Sequence, residues 1–509
     1  MATAPAPAAP TVAPPPSAGR WWGLAVLSLC TLVLNLDTSV LSVAIGTLAR
    51  DLRADTGQLQ WISTSYALTA ASLLLVAGAV GDRIGRRRTL LAGLALFATA
   101  SLVGAWAPNA GTLIAVRTAM GVGSAVIVPM ALSLLPALFA PAERPRAYAL
   151  LTASVTLGAP LGPIAGGLLL DHFWWGSIFL INVVTAGVAI PLGAAVLPES
   201  RDPRPGRTDL PGVLLSTAGV AALVYGFIDA GRGWTRPATV VWIAAGLAVL
   251  AGFALRERRV HDPLMPLVVF RQPAFTGSVL TLVMGAFAMM GLMFVLPQAL
   301  QGVRNLSPLG TGVRLLPLVL AALAGSLTVT RLTGRLGTRG VVAAGMLLLA
   351  AGLALVAAGG AATAPDRTLA AALALLGYGM GLSAPPAMAA AIAAFPDARA
   401  GSGSGLVTAI RAVGGIFGVA VIGTAVSALY TGRLGGLPAS VAGPARASVA
   451  NVPVLARHLD PAAAARLRAT TAAAFSHGMR VVLLACAAVA VLAALVSLRV
   501  LPPRADPEK

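Results

Sequence analysis

An all-α, polytopic membrane protein is the fold class this sequence predicts, on three observations. The mean hydropathy is +0.86. Hydrophobic residues make up 57% of the 509 and charged residues only 10%, against about 25% in a soluble domain. Apolar runs of spanning length recur along the whole chain, about fourteen in all, and only helices or closed barrels satisfy the backbone in lipid.

The elements follow in order. Residues 1–20 are rich in Ala and Pro with one charge, Arg20, and read as a disordered cytoplasmic tail. No charged region precedes the apolar run, so a secretory signal peptide is not expected. Six runs come next, at 22–46, 59–81, 89–107, 111–136, 147–170 and 176–197. They define a first six-helix bundle over 21–200. Runs 210–228 and 238–255 form an inserted pair within 201–260. Runs 275–297, 308–330, 340–359, 368–391, 402–428 and 479–500 define a second bundle over 261–501. Residues 430–477 read as one long outer loop, and 502–509 as a second cytoplasmic tail.

Arginine sets the expected orientation. Alternate loops hold Arg83/Arg86/Arg87/Arg88, Arg144/Arg146, Arg201/Arg204/Arg207, Arg256/Arg258/Arg259/Arg271 and Arg331/Arg335/Arg339. The loops between them are poorer in arginine. The positive-inside rule makes the first set cytoplasmic, and an even number of spans puts both termini there. The net charge of +19 is spread over these loops and not gathered into a nucleic-acid-binding patch.

The composition excludes several chemistries. The only lysine is Lys509, so neither a phosphate-binding P-loop nor a Schiff-base lysine is available. Cys30 and Cys486 both fall in apolar runs and read as small hydrophobes, not as a disulfide. His172, His261, His458 and His477 have no ligand spacing, so no metal site is expected. No cofactor and no enzymatic activity is expected either.

Asp37 is the most informative residue. Of the 17 acids it is the one placed deep in an apolar run. A lone charge there is expensive, roughly 3 kcal/mol on insertion scales, and such groups usually face a cavity and bind cations or carry protons. The alternative is a structural polar residue paired with a neighbouring helix. Arg117, in the fourth run, is a second embedded charge, and a nearby guanidinium favours a carboxylate. Its alternative is a snorkelling side chain near a helix end.

Three patterns carry more. Gly78-Ala-Val-Gly81-Asp82-Arg83-Ile-Gly85-Arg86-Arg87-Arg88 is a tight basic turn, in which charge-assisted pairs of Asp82 with guanidiniums would latch one side of the protein. A weaker echo, Gly334-Arg335-Leu336-Gly337-Thr338-Arg339, stands at the equivalent place in the second half. Repeated halves with a site between them are the usual build of a secondary transporter. Gly158-x3-Gly162-Pro163-x2-Gly166-Gly167 places small residues where helices approach closely, with a proline to kink the helix.

These segments resemble the major facilitator superfamily. The basic turn closely matches its loop 2–3 motif. Leu113 to Gly123 resembles the helix 4 motif of proton-coupled members, and Gly158 to Gly167 the helix 5 antiporter motif. Leu36-Asp37-Thr38-Ser39-Val40, Trp61 to Leu68, Phe179-Leu-Ile-Asn182-Val183, Gln301 to Pro308 and Gly403 to Gly415 are similar to the 14-helix drug:proton antiporter family in particular. The resemblance covers residues 20–500. It implies the major facilitator fold, two six-helix bundles plus two inserted helices, in a bacterial inner membrane. It also implies proton-driven export of lipophilic small molecules, with Asp37 and Arg117 in proton coupling. Asn35, Asp37, Tyr66, Phe294, Gln298, Tyr378, Arg411 and Phe417 are the expected cargo contacts. Gly78, Gly81, Asp82, Arg83, Gly85, Arg86 and Arg87 are the latch, and Gly158, Gly162, Pro163, Gly166 and Gly167 the antiporter motif.

One departure narrows the cargo. Some members carry further membrane acids early in helix 2 and in helices 10 and 13. Here Ser63 or Thr64 takes the helix 2 place, and the charged residues of helices 10 and 13 are Arg314 and Arg411. A dication would find little compensation, which favours monocationic, zwitterionic, neutral or weakly anionic cargo. The alternatives are a dedicated exporter of one natural product and a transporter of lipid or a lipid-linked precursor. The partners expected are protons and the bilayer, with no nucleic acid, and the protein is expected to be a monomer.

Overall fold

The computed structural model describes residues 17–140, 142–201, 209–260, 267–359, 365–395, 400–435 and 439–501. The described residues form helices and no strands. The tail at 502–509, and most of that at 1–20, lie outside them. The first helix already begins at Ser17, where Arg20 pairs with Glu143 at 2.8 Å, so the end of the expected tail belongs to the bundle.

The first bundle comprises α1 (Ser17–Asp51), α2 (Thr56–Ile84), α3 (Arg86–Ala105), α4 (Ala110–Leu138), α5 (Arg144–His172) and α6 (Ser177–Val196). The inserted pair is α7 (Leu210–Asp229) and α8 (Pro237–Glu257). Then come α9 (Pro273–Gly302), α10 (Pro308–Gly359), α11 (Asp366–Ile392), α12 (Ala400–Thr431), the short α13 (Ala439–Ala447) and α14 (Val452–Leu455), and α15 (Pro461–Val500). Eleven of these are long and apolar enough to cross a membrane, and bent α2 is a twelfth. α10 has 52 residues, about 78 Å at 1.5 Å each, twice what a bilayer needs. It is broken at Gly337, where the backbone leaves the helical conformation.

Two elements differ from the sequence reading. Runs ten and eleven are joined by a single left-handed glycine and not by a loop. Residues 430–477 are largely helical: α12 runs to Thr431, α13 and α14 follow, and α15 starts at Pro461. Asp460 caps α15 through Ala463 N, and Pro461 suits a first-turn position, so an Ala-rich segment too polar for a hydropathy window still extends the helix.

The repeat between halves is visible in the backbone. Gly85, between α2 and α3, has φ +122°, and Gly337, within α10, has φ +72°. Both turns need a conformation that side chains with a Cβ resist.

The bundles meet at the end opposite the Asp82 turn. Gln60 Nε2 donates to Val419 O (3.0 Å), Ala420 O (2.9 Å) and Thr424 Oγ1 (3.2 Å) of α12. Gln301 Nε2 of α9 donates to Val43 O of α1 at 2.7 Å, and Thr56 Oγ1 to Ala447 O at 3.0 Å. The inserted pair sits on the α2–α12 seam. Val224 packs with Leu68, Ile416 and Ala420, and Phe227 meets Phe417 edge-on at 5.8 Å. Arg232, just past α7, pairs with Asp55 at the start of α2, at 3.7 Å.

Candidate functional site

Asp37 is 4% exposed and Arg117 1% exposed, and they form an ion pair at 2.6 Å between α1 and α4. Removing either partner of such a buried pair typically costs about 3–5 kcal/mol, because the other charge is left uncompensated. Each partner has further support. The other carboxylate oxygen of Asp37 accepts from Asn182 Nδ2 of α6 at 2.7 Å. Asn182 also donates to Ser101 Oγ of α3 at 2.9 Å, and Ser101 donates to Phe179 O at 3.1 Å. Arg117 Nε donates to Ile62 O of α2 at 3.3 Å, and its guanidinium stacks 4.5 Å over the ring of Tyr66, itself edge-on to Phe97. Five helices thus converge on one carboxylate.

Chemically this is a buried carboxylate whose two neighbours each bond elsewhere as well, Arg117 to Ile62 O and Asn182 to Ser101 Oγ. Protonating Asp37 removes its charge and frees the guanidinium to turn to another acceptor. Asn182 Oδ1, fully buried beside Asp37, has no hydrogen-bond partner among the described residues. Asn182 and Ser101 were not singled out as site residues from sequence. The signal available was an amide in the apolar stretch Phe179 to Val183.

The other expected contacts are dispersed. Tyr66 joins the Asp37 cluster. Asn35 is half-buried and donates to Thr31 O of its own helix at 3.2 Å. Gln298 donates to Phe294 O at 2.8 Å, and both line a small cleft with Thr56, Gly423 and Tyr430. Tyr378 bonds Thr328 through its hydroxyl at 3.0 Å. Arg411 is half-buried in α12. Phe417 packs against Phe227 of the inserted pair. Arg314 is not an isolated membrane charge: it pairs with Asp366 at 2.7 Å.

Asp82, Arg86 and Arg87 of the turn bond within the first bundle. Arg86 holds Asp82 at 2.9 Å and reaches Ser133 O and Ser200 Oγ at 3.2 and 3.3 Å. Arg87 donates to Leu197 O at 3.1 Å, and Glu199 accepts from Arg87 N at 3.2 Å. A Cβ at Gly81 would collide with the Met130 side chain and one at Gly85 with Glu199, whereas Gly78 faces open space. Arg83 lies in the last turn of α2.

The glycines of α5 serve two contacts. A Cβ at Gly158 would stand 2.8 Å from Leu32 O, one at Gly162 would overlap Ser39 Oγ, and one at Gly166 would stand 2.9 Å from Val40 Cγ1, all on α1. Gly167 faces the other bundle, where a Cβ would lie 2.5 Å from Leu309 Cα of α10. Pro163 O fills the space that a side chain at Gly312 would need. This motif therefore packs α5 on α1 and forms part of the seam with α10.

Comparison with known proteins agrees with this architecture. Residues 27–419 match the family model described as the Major Facilitator Superfamily. Puromycin resistance protein pur8 of Streptomyces alboniger is 37% identical over 439 residues, 84% of this chain and 86% of that protein. Multidrug efflux pump LfrA of Mycolicibacterium smegmatis is 32% identical over 463 residues, 90% of this chain and 92% of that protein. Among solved structures, an inward-facing, unoccupied bacterial homologue of the human lysosomal transporter Spinster aligns with a TM-score of 0.67 at 17% identity. That alignment covers 97% of this chain and 100% of that one, and at such identity it shows the fold alone.

Proposed function

The chain belongs to the major facilitator superfamily, and we propose that within it this protein is a proton-coupled antiporter that exports lipophilic drugs or antibiotics by alternating access. It is a transporter and not an enzyme, a multi-pass protein of a bacterial inner membrane. The single observation that carries the coupling reading is the buried Asp37–Arg117 pair at 2.6 Å. Protonation of Asp37 from outside releases cargo. Deprotonation toward the cytoplasm restores the pair and readies the site for fresh cargo.

The arginine-rich end is read as cytoplasmic, with both termini there. The bonds between the bundles then close the outer side. The energetics suffice: one charge moving inward is worth about 2.3 kcal/mol per 100 mV, enough for roughly a 50-fold gradient of neutral cargo. Protons and cargo are the only partners this cycle needs besides the bilayer; it takes no cofactor and is completed by a monomer. A dedicated exporter is the second reading, supported by relatives whose names give one antibiotic each, such as the methylenomycin A resistance protein of Streptomyces coelicolor, 33% identical over 407 residues.

The test is uptake of a panel of lipophilic compounds into inside-out vesicles driven by an imposed pH gradient. Wild type should accumulate at least one, and Asp37→Asn should bind it without accumulating it. Undiminished gradient-driven uptake by Asp37→Asn would refute Asp37 as the coupling group.

A further inference from the structure

A cleft of about 280 Å³ opens at the end where the bundles meet. Three parts of the protein wall it. The first bundle supplies Asp55 and Trp61 at the start of α2. The inserted pair supplies Tyr225 of α7 and Arg232 of the turn that follows it. The second half supplies the end of α12 and, from α13, Arg446. Hydrogen bonds across the seam hold these walls together. Gln60 Nε2 donates to Thr424 Oγ1 at 3.2 Å and Thr56 Oγ1 to Ala447 O at 3.0 Å, and all four residues line the cleft. Parting α2 from α12, as opening this end requires, breaks those bonds and pulls the walls apart. The cleft therefore belongs to the conformation in which this end is closed.

Its charges leave anion-accepting groups unused. Asp229 also lines the cleft but is already satisfied, by Arg236 at 3.1 Å and Thr239 Oγ1 at 2.7 Å. Asp55 spends one oxygen on Gln58 N, at 2.8 Å, as the cap of α2. Arg232 stands 3.5 Å from Asp229 and 3.7 Å from Asp55, longer than an ordinary hydrogen bond to either. Arg446 donates to Leu434 O at 3.4 Å and has no ion pair among the described residues. With Asp229 neutralised by Arg236, one carboxylate faces two exposed guanidiniums, which favours an anion over a cation. A guanidinium is a planar fork that matches a carboxylate. Beside it the rings of Trp61 and Tyr225, 6.1 Å apart, offer flat apolar surface to a further ring.

We propose that this cleft is an inhibitory site for small aromatic acids, with the carboxylate held by Arg446 and Arg232 and the ring against Trp61 and Tyr225. Such a ligand touches the first bundle, the inserted pair and the second half at once, in the one arrangement that forms the cleft. It holds this end closed and stops the cycle without being carried. The site is separate from Asp37 and leaves the proton step unchanged. The inhibition rests on the alternating-access reading above, and with the arginine-rich end cytoplasmic the acid acts from outside.

The test uses the full-length protein in detergent with Ser427→Cys, on the α12 wall of the cleft, as a reporter for a water-soluble maleimide; Cys30 and Cys486 are buried. The probes are indole-3-acetate and its uncharged amide. The acid should protect the reporter at about one tenth of the amide's concentration, the worth of one charge-assisted contact. Adding Arg446→Gln should remove that preference, and Arg446→Lys should keep part of it. Thr431→Cys, which also lines the cleft, replaces the reporter if Ser427→Cys melts lower than wild type. Equal protection by acid and amide overturns the proposal, as does equal protection by sulfate or a preference that survives Arg446→Gln. The second arm is efflux of an exported compound from loaded right-side-out vesicles, which external indole-3-acetate should slow in wild type and not in Arg446→Gln. Undiminished efflux at an acid concentration that fully protects the reporter refutes the inhibition and leaves the exporter standing. Accumulation of the acid itself in inside-out vesicles, lost in Asp37→Asn, would make it cargo and overturn the proposal. Protection of the reporter without gradient-driven uptake of any compound removes the exporter reading and leaves the binding site.

Discussion

Gln301 of α9 occupies the space that a Cβ on Gly46 of α1 would need, and from there its amide reaches Val43 O at 2.7 Å. The absence of a side chain at one position is what lets the other bridge the bundles. Gly46→Ala should expel the Gln301 side chain and loosen the closed end. Overpacking of this kind costs about 1–3 kcal/mol, on the order of tenfold in the balance of conformations. The readout is labelling of Thr56→Cys, at the same seam, by a membrane-impermeant maleimide; native Cys30 and Cys486 are buried and do not compete. Faster labelling is expected, and Gln301→Ala alone, which removes the same bridge, should also raise it. Unchanged labelling in Gly46→Ala would show that this bridge does not hold the end closed.

The Asp37–Arg117 pair predicts a specific failure of additivity. Arg117→Gln strips a buried carboxylate of its cation and should cost about 3–5 kcal/mol of stability. Adding Asp37→Asn removes the stranded charge, so the double variant should melt higher than Arg117→Gln alone while remaining unable to use a pH gradient. Thermal unfolding in detergent decides it. A double variant no more stable than the single one would mean that the two side chains are not energetically coupled.

Much of this arrangement was legible in the chain, for identifiable reasons. Asp37 and Arg117 stood out because each is a lone charge in an apolar run, and the cost of embedding them holds whatever the fold. Gly85 and Gly337 were legible because both lie in short basic turns where a left-handed residue is needed. Asn182 was not, since a buried amide carries no comparable penalty and its role depends on α6 meeting α1 and α3 in space. The start of α15 was hidden because Arg466 and Arg468 depress its hydropathy, although Asp460-Pro461 already marked a helix start. The seat of the inserted pair was invisible for a different reason. It depends on Trp61, Tyr225, Phe227 and Phe417 meeting from three separate helices, and no local pattern encodes that.

Asp209 gives the protein an acid-sensitive brace at the arginine-rich end. It caps α7 through Gly212 N at 3.1 Å and accepts a hydrogen bond from Arg256 of α8. Burial pushes its carboxyl up, but Arg256 and the Gly212 amide together outweigh burial and hold it below the ordinary carboxylate range. A depressed folded-state value means stability that is complete above the unfolded value, near about 3.9, and lost as pH falls through the folded one. Asp209→Asn should therefore lower the melting temperature at neutral pH, and the gap to wild type should close as pH falls below about 4. A gap independent of pH would mean that the carboxylate's charge contributes nothing.

The α5 glycines make opposite predictions according to what they face. Gly162 abuts the Ser39 hydroxyl, a group small enough to remove, so Ser39→Ala should partly rescue transport in Gly162→Ala. At Gly167 the obstacle is the Leu309 backbone, with Cα at 2.5 Å and N at 2.9 Å, and no side-chain change can move it. Because Leu309 belongs to the other bundle, Gly167→Ala should act on the conformational cycle more than on folding. Melting temperature should change little, while gradient-driven uptake falls by tenfold or more if the conformation in which these helices touch costs about 1.4 kcal/mol or more extra. Gly78→Ala is the control, since nothing lies within 4 Å of its added Cβ in this conformation. If Gly167→Ala transports normally, the α5–α10 contact is not part of the cycle. If it fails to fold while Gly162→Ala folds, that contact is structural and not a moving seam.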